Sequence, residues 1–274
     1  MPEWPEMETY RTLLSEKLVG DTIVGTEVTR AKSINVPAEQ FDKELTGRVV
    51  WYVERRGKNL LLHLDNGRRL LLHLMLGGSM YYGQEEEDRP SRTVQVTLRL
   101  TRGSLYFIGL RLGYLHLLSV REVEAQLEGL GPEPFDKRMT AERFRACFKG
   151  KRGTVKSALT DQHVIAGIGN CYADEIAFAA GVRPSARIPE LAEADWERLY
   201  AGMMAVLPEA AALGGYMEQP FTHDDKLTGT YNAHCKVYDR EGEPCLTCGS
   251  PIVRTQVSSR KAFYCPVCQG EHGQ

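Results

Sequence analysis

Residues 245–268, CLTCGSPIVRTQVSSRKAFYCPVC, decide how the C-terminal part of this chain folds. The pair Cys245 and Cys248 and the pair Cys265 and Cys268 are each spaced Cys-x-x-Cys, with sixteen residues between the pairs. Two thiolate pairs on tight turns supply the four ligands of a tetrahedral zinc ion, and a site with all four positions filled is structural. Four unrelated thiols would have no reason to keep this spacing. The stretch therefore predicts a hairpin that binds one zinc ion.

The segment between the cysteine pairs is β-patterned and carries Arg254, Arg260 and Lys261. A metal-clamped hairpin is a rigid platform for presenting arginine to a phosphate or a base edge. A solvated turn explains the same residues equally well. Basic residues also cluster at 149–156 and 55–58, and together they would form a phosphate track even though the formal net charge is −2.

The composition is that of a globular protein, with 274 residues, 42% hydrophobic and 26% charged. The length suggests roughly two domains. No stretch is apolar enough to span a membrane, and the N-terminus lacks the features of a secretion signal. Metal-type cysteine spacing favours a reducing compartment, so we expect a cytoplasmic protein.

The remaining chain divides into a β-rich part and a helical part, which predicts an α+β fold. Helical spacing at 5–19 is followed over 22–118 by β-patterned runs, with hairpin signals at Asn66-Gly67 and Arg102-Gly103. An antiparallel sandwich or flattened barrel follows. The acidic segment 84–92 is predicted to be a solvated turn. Helices are predicted at 141–149, 154–161, 170–181 and 193–213, and a long loop at 215–232. The predicted domains are 1–130, 131–232 and 233–274.

A glycine turn, GIGN at 167–170, directly precedes a predicted helix. Such a turn presents free backbone N–H groups at the positive end of the helix dipole, which suits a phosphate. Asn170 is also an ordinary helix-capping residue.

The N-terminus, MPEWPE, carries a second candidate for chemistry. Removal of Met1 would expose the secondary amine of Pro2, with Glu3 and Glu6 close by. An α-amino group has a pKa near 8, so a neutral fraction is present at neutral pH and can attack a carbon electrophile. The iminium that forms is an electron sink for elimination. The same residues also suit the start of a helix, because acids are favoured at its positive end.

Together these features resemble the formamidopyrimidine-DNA glycosylase and endonuclease VIII superfamily of base-excision repair. Five motifs carry the resemblance in order along nearly the whole chain. The formamidopyrimidine branch is closer than endonuclease VIII in the sequence of the zinc finger and the linker. The motifs are PEWPEMET (2–9), RRGKNLLLHL (55–64), LGPEP (130–134), VKSALTDQHVIAGIGNCYADEIAFAAGVRP (155–184) and KVYDREGEPCLTCGSPIVRTQVSSRKAFYCPVCQ (236–269).

The resemblance implies an N-terminal β-sandwich led by a helix, a helix-two-turn-helix domain and a zinc finger. It implies that Pro2 is the nucleophile, Glu3 the acid/base, and Lys58 a lysine that handles the lesion and its phosphates. The implied DNA contacts are Lys156, Asn170 and Arg260, the last gripping a phosphate at the catalytic centre. Glu6 matches an acid near the lesion pocket.

Two departures from the family pattern concern recognition. Leu76 occupies the position of a void-filling methionine, and Leu110-Arg111-Leu112-Gly113 replaces the family's RRFG. Leucine at 110 cannot read a base edge, so selectivity for an opposite cytosine is not expected, whereas Leu112 can still wedge into the stack. The lesion-capping loop opens with Tyr216, Met217 and Glu218 in place of small hydroxyl residues.

The predicted function is therefore that of a bifunctional DNA glycosylase and AP lyase. It would excise oxidised bases of the formamidopyrimidine/8-oxoguanine type from double-stranded DNA through a Pro2 Schiff base and β,δ-elimination. The alternatives are endonuclease VIII-like excision of oxidised pyrimidines and a non-catalytic DNA-damage-binding protein. We expect a monomer with one structural zinc ion, associated with the nucleoid in a bacterium.

Overall fold

A computed structural model describes residues 1–270, which fold into two compact units. The first unit contains Met1–Glu128 and Leu213–Thr230, and the second contains Gly129–Ala212 and the chain from Tyr231 onwards. Within residues 1–270, no helix combines the length and apolar character needed to cross a membrane.

Two antiparallel four-stranded sheets form the first unit, as the β-patterned runs predict. One sheet has the order β1-β6-β7-β5 and the other β2-β3-β4-β8. The strands are β1 (Ile23–Val28), β2 (Val50–Arg56), β3 (Asn59–Leu64), β4 (Arg69–His73), β5 (Ser79–Gly83), β6 (Val94–Leu100), β7 (Gly103–Ile108) and β8 (Tyr114–Leu118). The helices are α1 (Trp4–Leu18), α2 (Ala38–Leu45) and α3 (Val120–Gln126).

The core of this unit lies between the sheets and the buried face of α1. Met7, Tyr10 and Leu14 of α1 are at most 1% exposed and join one cluster with inward side chains of both sheets. The β3–β4 and β6–β7 pairs are joined through Asn66-Gly67 and Arg102-Gly103, which confirms both predicted hairpins. Gly67 adopts a φ of +82°, a conformation that glycine adopts without strain.

The segment 213–230 belongs to the first unit, whereas the sequence assigns it to the helical domain. The physical reason is burial: Phe221 is fully buried in the sandwich core and contacts Tyr10 and Tyr82, with ring centroids 5.9 and 6.4 Å apart. The backbone carbonyl of Phe221 also accepts a hydrogen bond from Tyr82 N–H at 2.7 Å. The loop therefore completes the core of the first unit.

The second unit is helical and ends in a two-stranded hairpin, as predicted. Its helices are α4 (Ala141–Cys147), α5 (Val155–Leu159), α6 (Asn170–Ala179) and α7 (Glu193–Ala212), and its strands are β9 (Val253–Val257) and β10 (Arg260–Tyr264). Thr140 and Thr154 cap α4 and α5 by accepting hydrogen bonds from backbone N–H groups of the first turn.

Candidate active site and nucleic-acid interface

The N-terminal segment is held by a reciprocal pair of glutamates. Glu3 is the N-cap of α1, and Glu3 and Glu6 form a capping box in which the Glu6 carboxylate accepts from Glu3 N–H at 2.6 Å. The two side chains are only 4% and 2% exposed. A capping box satisfies N–H groups that a helix start leaves unpaired. Pro2 is therefore followed directly by a fixed helix start.

Pro2 lines a cavity of about 210 Å³ in the first unit. The walls come from the N-terminus and α1, from the segment between β4 and β5, from the ends of the β5–β6 segment, and from the loop that follows α7. Three predicted lesion-recognition residues, Tyr216, Met217 and Glu218, line the cavity together with Leu76. The structure thus brings the predicted nucleophile and the predicted capping residues to one cavity.

Glu6 also connects the helix start to the capping loop. Its second carboxylate oxygen accepts from Tyr216 N–H at 2.7 Å, across 210 positions of the sequence. Gly215 has a φ of +70°, and a Cβ there would lie 2.5 Å from the Glu6 carboxylate. Only glycine allows this approach, so the GGY turn is built to receive Glu6.

Lys58 lies in the turn between β2 and β3 and is only 5% exposed. Arg55 in the same hairpin places its guanidinium 4.7 Å from the Trp4 ring and bonds Glu8 at 2.9 Å. Burial lowers the pKa of the neighbouring His73, a hydrogen bond with the Lys58 backbone opposes this shift, and the positive charge of Lys58 adds to it. Lys58 does not line the cavity that contains Pro2.

The predicted void-filling residues lie on two adjacent loops. Leu76 and Leu112 are 72% and 67% exposed, and Arg111 is exposed as well. Leu110 is fully buried, with its N–H donated to Gln95 and its carbonyl accepting from Ser33. Residue 110 therefore faces the protein interior, and the exposed side chains at 76 and 112 are apolar.

The glycine turn before α6 is held by one glutamine. Gln162 accepts from Gly167 N–H at 2.9 Å and donates to the carbonyl of Ile168 at 2.8 Å. The N-cap is Gly169, and Asn170 is the first helical residue with an exposed side chain. The capping interpretation of Asn170 is therefore wrong. Its side chain remains available to a ligand at the helix N-terminus.

The prediction that Lys156 contacts DNA does not agree with its environment. Its side chain is 0% exposed and its ammonium bonds the Asp174 carboxylate at 2.7 Å. The ammonium also donates to the backbone carbonyl of Asn170 at 3.2 Å. Lys156 thus supports the start of α6 from inside the protein.

Arg260 begins β10 directly after a two-residue turn. Its guanidinium donates to Thr160 Oγ at 3.0 Å, and the Thr160 hydroxyl donates to the carbonyl of Lys156 at 2.8 Å. The structure therefore connects Arg260, Lys156 and Asn170 through short contacts. The turn residues Ser258 and Ser259 have φ values of +51° and +63°, where non-glycine residues are strained.

Two buried acids on α6, which sequence reasoning missed, attach the hairpin. Asp174 accepts from Phe263 N–H of β10 at 3.0 Å. Glu175 accepts from the backbone N–H groups of 236–238 at 2.9 to 3.1 Å. Burial raises the pKa of both carboxyls, that of Asp174 to about 7. The signal available in the sequence is the pair of adjacent acids inside the apolar run CYADEIAFAA.

Four thiols form the metal site at the base of the hairpin. The sulfurs of Cys245, Cys248, Cys265 and Cys268 all lie within 4.8 Å of one another. The Cys245–Cys268 and Cys248–Cys265 separations are 3.8 and 3.4 Å. Tetrahedral zinc–sulfur bonds of about 2.3 Å place sulfurs roughly 3.8 Å apart.

The chemistry of the donor set fits zinc as well. Hydrogen bonds from Ser250 lower the pKa of Cys248 to about 6, so a thiolate is available at neutral pH. Burial and the neighbouring thiols raise the pKa of Cys268, and a bound cation would remove that penalty. The residues present therefore fit one structural zinc ion, as predicted.

Three family models match the chain in succession. They are the formamidopyrimidine-DNA glycosylase N-terminal domain at 1–114, the formamidopyrimidine-DNA glycosylase H2TH domain at 130–221, and the zinc finger found in FPG and IleRS at 242–270. This domain set defines a DNA glycosylase of base-excision repair.

Full-length relatives specify the family. The formamidopyrimidine-DNA glycosylase of Bacillus licheniformis is 37% identical, covering 98% of this chain and 99% of that protein. The enzyme of Gloeobacter violaceus is 36% identical, covering 98% of each. The chain belongs to the formamidopyrimidine-DNA glycosylase family, whose members are glycosylases and AP lyases.

Solved structures agree with the fold. The Lactococcus lactis Fpg in complex with abasic-site DNA superposes with a TM-score of 0.90 at 29% identity, covering 98% of this chain and 100% of that one. A mutant of the same protein with DNA containing Fapy-dG gives a TM-score of 0.89 at 30% identity, with the same coverage.

Proposed function

We propose that this protein excises oxidised bases from duplex DNA and then cleaves the strand, with the Pro2 amine as nucleophile. The observation that carries the proposal is the position of Pro2 in a cavity of base size, followed by the Glu3–Glu6 capping box. One relative of this chain, the Lactococcus lactis Fpg, has been solved with abasic and Fapy-dG DNA, the intermediate and substrate types that this chemistry requires.

The reaction starts with the neutral amine of Met-processed Pro2 attacking the sugar C1′ carbon. The bond from C1′ to the base breaks, and the base leaves with a proton. Glu3 protonates the ring oxygen as the sugar opens, which gives the iminium. Loss of a C2′ proton expels the 3′ phosphate, and a second elimination expels the 5′ phosphate. Hydrolysis of the iminium restores the amine.

DNA binding in this proposal uses two sets of exposed residues. Asn170 and Arg260 bind phosphates at a helix start and a hairpin tip. Leu76 and Leu112 enter the duplex and fill the space left by the flipped base. Arg111, beside Leu112, contacts the duplex or its phosphate backbone. The protein acts as a monomer in the cytoplasm, at the bacterial nucleoid.

The preference for an opposite base follows from Leu110. Residue 110 is a fully buried leucine where the family has an arginine, so it cannot donate hydrogen bonds to an opposite cytosine. This observation favours oxidised pyrimidines, which lie opposite purines, as a second substrate class. Rates on formamidopyrimidine, 8-oxoguanine and dihydrouracil duplexes, each opposite all four bases, distinguish the two classes.

Borohydride trapping on an abasic duplex tests the nucleophile. The Met-processed protein should form a covalent adduct at Pro2, and the same chain retaining Met1 should not, because its Pro2 nitrogen is an amide. Pro5→Ala serves as a control proline without a free amine, and it should trap normally. A peptide adduct elsewhere, or equal trapping by the Met1-retaining protein, would refute the role of Pro2.

A further inference from the structure

The cavity that contains Pro2 is also lined by an arginine, Arg92, which lies outside the five motifs that the chain shares with the family. Arg92 closes the acidic segment 84–92 and lines this cavity beside Ser79 and Glu218. The sequence predicts only a solvated turn there. In the structure its guanidinium donates to Ser79 Oγ at 3.4 Å, a long contact that leaves most of its donors unused.

The charge of Arg92 is not neutralised by a neighbouring acid. Among the carboxylates whose side chains the structure describes, none forms an ion pair with its guanidinium, and Glu86 of the same acidic segment lies outside that set. The nearby Arg89 differs in this respect, because it bonds both carboxylate oxygens of Glu27 at 2.9 and 3.0 Å. Arg92 is solvent-exposed at the cavity, and its unused donors are accessible to a ligand there.

The size and polarity of the cavity indicate what Arg92 binds. At about 210 Å³ it is smaller than the roughly 300–1,000 Å³ of typical ligand pockets, so a single heterocycle suits it. Arginine binds base carbonyl and ring-nitrogen acceptors with its planar fork. Glu218, which also lines the cavity, supplies an acceptor. A donor and an acceptor together complement a lactam edge, in which a carbonyl lies beside an N–H.

We propose that Arg92 is a specificity-determining residue that donates to a carbonyl oxygen of the flipped, oxidised base. The inference rests on the proposed function, because it requires that the base attached to the attacked C1′ occupies the Pro2 cavity. Arg92 is then a base-recognising residue outside the capping loop, and it favours damaged bases with a lactam edge.

The test separates base recognition from strand cleavage. Single-turnover excision is measured on formamidopyrimidine and dihydrouracil duplexes, and lyase activity on a preformed abasic duplex that carries no base. Arg92→Met should slow base excision about tenfold or more, whereas abasic cleavage should stay within about twofold. Arg92→Lys, which keeps the charge but loses the fork, should give an intermediate excision rate.

Arg89→Met is the matched control, since it removes an arginine of the same segment that lies outside the cavity. Both of its activities should match the wild type. If Arg92→Met loses excision and lyase activity equally, Arg92 contacts a phosphate and not the base, and the inference is overturned. Unchanged excision in Arg92→Met would overturn it as well. A wild-type protein that cleaves no abasic duplex would instead refute the proposed function itself. Thermal unfolding of each variant verifies the fold.

Discussion

Buried carboxylates accept hydrogen bonds from backbone N–H groups in both units, but they accept more of them in the second unit. In the first unit Glu6 accepts from the helix start and from the capping loop, at 2.6 and 2.7 Å. In the second unit Asp174 and Glu175 lie side by side on α6, and they receive four backbone N–H groups and the Lys156 ammonium. The metal site adds four thiolates to the second set.

The difference indicates a division of labour between the units. In the proposed function, the hairpin and α6 hold phosphate-binding donors in fixed positions, and the several interactions that attach the hairpin to α6 suit that role. A capping loop has to admit and release a base, and segments that open are held by few interactions. Glu6 holds the start of this loop at Tyr216, whereas the burial of Phe221 and the hydrogen bond that its carbonyl accepts from Tyr82 N–H hold the middle of the loop.

Zinc removal should have the largest effect, and it should be confined to the second unit. Structural zinc contributes about 10–16 kcal/mol of apparent binding free energy in small fingers. Cys248→Ser should lose the hairpin and lower duplex affinity about a hundredfold, whereas Cys147→Ser should not. Hydrogen exchange of α1 should remain slow in both variants. Loss of α1 protection in Cys248→Ser would contradict the separation of the units.

Asp174→Ala should be the most destabilising single change within α6. It leaves the Lys156 ammonium buried without its carboxylate, which costs about 3–5 kcal/mol. The double variant Asp174→Leu with Lys156→Met removes both charges and should recover most of that stability in denaturant unfolding. If the double variant is as unstable as the single one, packing rather than charge decides the effect.

Glu6→Ala should affect the capping loop more than the fold. It leaves the N–H groups of Glu3 and Tyr216 without their acceptor, at about 1–3 kcal/mol. Base excision should fall roughly tenfold, and amides at 214–219 should exchange faster. Glu16→Ala, an exposed change on the same helix, is the control. Unchanged exchange of the loop would exclude the connecting role.

The two units should respond to pH in opposite directions. Burial lowers the pKa of His73, so the folded first unit binds fewer protons and loses stability as the pH falls below about 6.5. Burial raises the pKa of Asp174 to about 7, so its unit loses stability as the pH rises from about 4 to about 7. Amide exchange in β4 and α6, corrected for intrinsic rates, measures both trends. His73→Gln should abolish the pH dependence of the first unit only, and Asp174→Asn should abolish that of the second unit only.

Ser259→Gly should give the smallest effect, a gain in stability. Relief of the left-handed conformation at φ +63° is worth about 1 kcal/mol. Gln256→Gly, on the neighbouring strand, should be destabilising instead, because glycine weakens a strand. Hairpin amide exchange compares the two, and a loss of stability in Ser259→Gly would show that the serine is needed there.

Local patterns predicted much of this molecule. The cysteine spacing predicted the metal site, the Asn66-Gly67 step a hairpin, and the N-terminal periodicity the helix α1. Each signal depends on neighbours within about one turn or one hairpin. The α+β architecture followed from the order of these elements.

Long-range contacts escaped prediction for a physical reason. The Glu6–Tyr216 hydrogen bond spans 210 positions, and no local pattern encodes it. The charge of Lys156 suggested a surface residue, but its tertiary partner Asp174 allows full burial. Arg92 is exposed, as the sequence predicts for this segment, but only the folded chain shows that it lines the cavity. The catalytic and DNA-contact roles assigned by resemblance remain predictions.

The return of the chain at 213–230 also constrains how the protein is made. A ribosome releases α1 and both sheets long before it releases Phe221, the side chain that fills the space between Tyr10 and Tyr82. Until then the sandwich lacks part of its core, and Glu6 lacks its partner at Tyr216. The end of the protein that carries Pro2 is thus synthesised first, and its surroundings are completed only after the helices of the other unit have emerged.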